Sequence, residues 1–112
     1  MKQSIYVVVG SARPYHDDEW SVAAYGDSEQ AEAHAKALND HASKMAKVID
    51  RAIASPGGLL VVGEDARFLF KAGAEHSRLD PAKPTNVAGS ITSYRVLSIP
   101  LFRHFDEFQG LE

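Results

Sequence analysis

Gly26–Pro56, GDSEQAEAHAKALNDHASKMAKVIDRAIASP, is the stretch whose reading decides the fold. Asp27 can cap the free N–H groups of a helix start. Gln30 sits three residues on, as in a capping box, and Glu29 and Glu32 complement the positive end of the helix dipole. From there Ala31, Ala35, Leu38, Ala42, Met45, Ile49 and Ile53 fall within ~40° of one direction at ~100° per residue. Glu29, Lys36, Asp40, Lys44, Lys47 and Arg51 take the other side, and Glu32→Lys36 and Asp40→Lys44 are favourably ordered i,i+4 pairs. Pro56-Gly57-Gly58 cannot continue the pattern. The spacing therefore predicts one long amphipathic helix over 28–54. Eight of the sixteen alanines lie in it, so its apolar face is slim and able to lie close to a neighbour.

Upstream, Ile5-Tyr6-Val7-Val8-Val9 is a run of β-branched and aromatic residues stopped by Gly10, which predicts a strand over 4–10. Apolar residues at every position mark it as central. A polar loop through Pro14 leads to a second strand over 19–25. Alternation there puts Trp20, Val22 and Ala24 on one face and Ser21, Ala23 and Tyr25 on the other. The short connection predicts an antiparallel hairpin. Downstream, Leu59–Val62 reads either as a short strand or as the lead-in to another helix, and 64–75 is predicted as a second helix interrupted by Gly73. Pro81, Pro84, Asn86 and Gly89 mark an irregular connection. A last strand spans 91–101, with Leu97, Ile99 and Leu101 on one face and Tyr94, Val96 and Ser98 on the other. Pro100 signals an edge position or the end of the ladder. Phe102, Phe105 and Phe108 predict a short terminal helical turn.

These elements make a small α+β domain: an antiparallel sheet of three or more strands with the long helix on one face. The chain of 112 residues fits one domain, taken as 1–110. Leu111-Glu112 reads as a cloning scar. No segment approaches the ~18 apolar residues of a membrane span, and the opening apolar run is too short for a signal-peptide core. Twelve basic and fifteen acidic residues give a net charge of −3 without a basic stripe, which disfavours nucleic-acid binding. Absent cysteine removes disulfides, thiolate nucleophiles and thiolate-ligated metals, in keeping with a reducing cytoplasm.

The densest chemical groups lie in the loop Arg13-Pro14-Tyr15-His16-Asp17-Asp18-Glu19. His16 with its neighbouring carboxylates has the donor types of a general base or an N/O metal site. Adjacent residues diverge in extended chain, however, and a solvated or partner-binding loop is the expected role. Its supporting pocket as a metal-using or ligand-binding enzyme would join His16 to His76 or His104. His34 and His41 lie two turns apart on the long helix, ~10.5 Å between Cα atoms, and are expected to cover the core edge. Ser55-Pro56-Gly57-Gly58 ends a helix instead of opening one and lacks a phosphate-loop pattern. No catalytic constellation, metal site or cofactor motif is present in the sequence.

The sheet is two-faced. Tyr6, Val8, Tyr25, Tyr94 and Val96 are expected on the face opposite the long helix. There either the 64–75 helix covers them or they form an apolar patch serving another chain. The candidate interface is accordingly Tyr6, Tyr25 and Tyr94, or Arg13, Tyr15, His16, Asp17 and Asp18 with Trp20 beside them, used for a protein partner or for self-association.

Several runs resemble small bacteriophage- and prophage-encoded α+β proteins. They are Tyr6-Val7-Val8-Val9-Gly10, Glu19-Trp20-Ser21-Val22-Ala23-Ala24-Tyr25, Asp27-Ser28-Glu29-Gln30-Ala31-Glu32, Leu79-Asp80-Pro81 and Gly89-Ser90-Ile91-Thr92-Ser93-Tyr94-Arg95-Val96. The resemblance extends over about half of the chain. It implies a phage context inside a bacterial host. Within that context, the missing catalytic constellation and the spare apolar sheet surface point to an accessory protein that binds another protein and can modulate a host system. The resemblance itself implies no activity and carries over no catalytic residues.

Overall fold

A computed structural model describes residues 3–14, 17–54 and 63–106. In chain order these form β1 (Gln3–Ser11), β2 (Glu19–Tyr25), α1 (Ser28–Ala54), α2 (Gly63–Leu79), a 3₁₀ turn (Gly89–Ile91) and β3 (Ser93–Leu101). The sheet is antiparallel in the order β2-β1-β3, so the apolar first strand is indeed central. The α+β class, the three strands and the long helix follow the sequence reading. The second helix runs further than predicted, passing through Gly73 to Leu79. Leu59–Val62 and Phe108 lie outside the described residues.

Asp27 caps the α1 N-terminus as its sequence predicts, without a return bond from the Gln30 side chain among the described residues. The Asp27 carboxylate accepts the Glu29 N–H at 3.0 Å, and the Asp27 carbonyl accepts the first helical bond from Ala31. Ala31, Ala35 and Leu38 then bury against Val8 and Tyr94, with Tyr6, Trp20, Val22, Tyr25, Leu79 and Val96 packed around them. Leu38 is fully buried, worth about 1.5–3 kcal/mol relative to exposure.

Past Met45 the buried positions are Val48 and Ala52 in place of the expected Ile49 and Ile53; Ile53 is exposed. The cause is a change of partner. The first half of α1 faces the sheet, whereas its far half faces α2 and the 3₁₀ turn, which turns the stripe by one residue. Arg51–Asp65 at 2.7 Å and His41–Glu75 at 3.8 Å cross that helix–helix seam.

Two corrections concern the sheet faces. First, β1 and β2 slip register between Val8 and Val9: Val8 pairs with Ala23, and Val9 with Ser21. Val22 is the extra residue of a bulge, so Trp20 and Tyr25 share a face although simple alternation separates them. Second, Tyr6, Val8, Tyr25, Tyr94 and Val96 lie beneath α1, not opposite it. Period-two alternation sorts residues into two sets, but it does not say which set meets the helix. The open set is instead Ile5, Val7, Ala24, Leu97, Ile99 and Leu101. α2 does not cover it: α2 packs along α1 and the 3₁₀ turn, and its His76 reaches the sheet at Tyr94, on the helix side.

Candidate functional site

Gly10 stands opposite Trp20 on one side and Tyr94 on the other. A Cβ on Gly10 would lie 2.5 Å from the Trp20 indole, so only glycine lets the ring lie flat over β1. There Trp20 and Tyr94 meet edge to face, 6.4 Å between centroids at 84°.

Both rings direct their polar ends to Asp80, just past the end of α2. Trp20 Nε1–H donates to Asp80 Oδ2 at 2.8 Å and Tyr94 O–H donates to the same oxygen at 2.6 Å. The Ala82 N–H donates to Oδ1 at 3.2 Å. This buried carboxylate is thus balanced by three donors from three parts of the chain.

His76 completes the network, 2.8 Å from the Tyr94 oxygen through Nε2. Tyr94 spends its proton on Asp80 and Thr92 donates to the Gly89 carbonyl. Nε2 must therefore carry the His76 proton, which leaves Nδ1 buried without a hydrogen-bond partner. Burial, above all, lowers the His76 pKa from its ordinary value, and burial together with the Asp80 bond raises that of the Tyr94 phenol. With Tyr94, Asp80 and His76 buried, the cluster fastens α2 to the sheet.

α1 is fastened in two further ways. The Asn39 side chain accepts the Tyr94 N–H at 2.8 Å and donates to the Tyr94 carbonyl at 3.0 Å. His34 donates from Nε2 to the Leu79 carbonyl at 2.7 Å, and its Nδ1 accepts the Tyr25 O–H at 2.8 Å. His34 and His41 therefore serve as boundary residues, as their spacing predicts.

The open face is built differently. In register, Leu97, Val7 and Ala24 form one row and Ile99 and Ile5 the next, with Leu101 beyond. Leu97, Ile99 and Leu101 keep 40%, 43% and 45% of their surface exposed. One end of the face is closed by charge. Glu19 pairs with Arg95 at 2.8 Å and with Arg13 at 3.2 Å, and Arg95 stands opposite the buried Val9. The Arg95 hydrogen bond, chiefly, holds the Glu19 carboxyl below its usual value.

Of the sequence candidates, Tyr94 is buried, and Tyr6, Trp20 and Tyr25 are partly buried against the helix-side core. Arg13, Asp17 and Asp18 are exposed in the loop beside the charged end, and Tyr15 and His16 lie outside the described residues. Among the described residues no group of three or more His, Asp or Glu is placed to hold a metal, and no helix is long and apolar enough to cross a membrane. Sequence reasoning gave Asp80 and Thr92 no site role. Asp80-Pro81-Ala82 is legible as an Asx turn, whereas its burial under Trp20 depends on pairing across sixty residues.

The geometry defines a small α+β domain with one sheet face internally bonded and the other aliphatic and open. No family model, curated protein or solved structure matches the chain.

Proposed function

We propose that this chain is an accessory protein of phage or prophage type that acts in the bacterial cytoplasm by binding another polypeptide chain through its open sheet face, with no chemistry of its own. The observation that carries this reading is the exposed aliphatic set Leu97, Ile99 and Leu101 on a sheet whose aromatic side chains are turned to the other side. Contiguous exposed apolar rows of this kind mark contact surfaces. The runs that resemble phage-encoded proteins supply the context.

The test is site-specific photo-cross-linking in bacterial cells, with the reactive residue at Leu97 or, for comparison, at Phe70, which is 83% exposed on α2. The Leu97 position yields discrete adducts with a second chain and the Phe70 position yields none. Absence of any adduct from Leu97 overturns the reading.

A further inference from the structure

We infer that the chain covering the open face is a second copy of this protein, the two sheets packing face to face about a two-fold axis. This rests on the reading of that face as a contact surface and names its occupant.

The edges of the sheet argue against strand addition. Tyr94 turns its N–H and carbonyl away from β1, toward Asn39. Alternation along an antiparallel strand then makes Tyr94, Val96, Ser98 and Pro100 the outward-bonding positions of β3. Asn39 occupies the first of these, and Pro100 has no N–H to give. Among the described residues, that leaves Val96 and Ser98 as the outward positions of β3 with an N–H to offer. On the far edge, the Val22 bulge interrupts β2. With both edges blunted, the face is what remains for another chain.

Charge and area single out a copy as the occupant. Among the described residues, the charged groups on this face are Glu19 and Arg95 at one end, paired with each other and with Arg13. A partner recognised by charge finds no unpaired group in the centre. A second copy brings the same uncharged rows, and when the strands of the two copies run antiparallel the ion pairs fall at opposite rims.

Three strands ~4.8 Å apart and ~3.3 Å of rise per residue make a face of roughly 14 by 30 Å. Two such faces withdraw roughly 1,000 Å² of accessible surface, near the lower bound for a specific interface. The dimer is therefore concentration-dependent and, being apolar, little affected by salt.

Sedimentation equilibrium of the full chain from about 5 to about 200 μM tests this. The average mass rises toward twice the 12.2 kDa of the chain. Ile99→Lys weakens association by roughly a hundredfold, while Phe70→Lys, exposed on α2, leaves it unchanged; circular dichroism confirms that both variants fold. A mass that stays at one chain throughout overturns the inference, as does a dimer that survives Ile99→Lys or is lost with Phe70→Lys. If the protein is monomeric yet Leu97 still cross-links to other proteins, the inference fails while the contact-surface reading stands. If Leu97 cross-links to nothing, both fail.

Discussion

Replacing Tyr94 by Phe removes one oxygen and leaves the ring, so it isolates the hydrogen bonds that fasten α2 to the sheet. The oxygen donates to Asp80 at 2.6 Å and accepts from His76 at 2.8 Å. A hydrogen bond to a charged group contributes about 1.5–3 kcal/mol, and a buried donor left without a partner costs about 1–3 kcal/mol. Two features limit the loss. Asp80 keeps its bonds from Trp20 and Ala82, and Thr92 Oγ1, already 3.4 Å from His76 Nε2, can take up the orphaned proton. The expected destabilisation is about 3 kcal/mol, or a fall in Tm of roughly 10 °C for a domain of this size. Urea unfolding followed by the fluorescence of Trp20, the sole tryptophan, measures it directly. The midpoint should drop with the slope unchanged. A loss below about 1 kcal/mol, the level of an ordinary solvent-competed bond, would show that the network adds little beyond packing and refute the reasoning.

Gly10→Ala places a methyl 2.5 Å from the indole of Trp20, so the ring must leave Asp80; the expected cost is about 2–4 kcal/mol from overpacking and the lost bond, with Trp20 emission shifted to the red. His76 is buried with Asp80, His41 and Lys83 acting on it, and its pKa is lowered from 6.5, mainly by burial. The unfolded chain therefore binds the extra proton first. This contribution to stability is complete above pH ~6.5 and declines as the pH falls below that value. Urea midpoints between pH ~7.5 and ~5.5 should fall less steeply for His76→Gln than for the parent; equal slopes would remove His76 from the account.

The long helix was legible because its signals are local and agree with one another. The Asp27 cap, the 3.6-residue apolar period and the Pro56 stop all lie within one stretch of chain. Strand identity was legible in the β-branched run of β1, and the edge character of β3 in Pro100. The candidate site was much less so. Trp20 and Tyr94 stand out by composition as interface residues, yet they are occupied internally by Asp80 and His76, partners distant in sequence. A single bulged residue, Val22, turned Trp20 to the helix side, and no local pattern announces a bulge.

Local propensity and period thus settle which segments become helix and strand, where α1 begins and ends, and which residues share a face of β3. They do not settle which face of the sheet the helix takes. That choice depends on long-range complementarity: Gly10 makes room for an indole, Asn39 reaches the Tyr94 backbone, and Asp80 receives Trp20 and Tyr94 together. Each of these groups finds its hydrogen-bond partners only beneath α1 and the end of α2. The aliphatic residues Ile5, Val7, Leu97, Ile99 and Leu101 lose no hydrogen bond by facing outward, and so they form the open side.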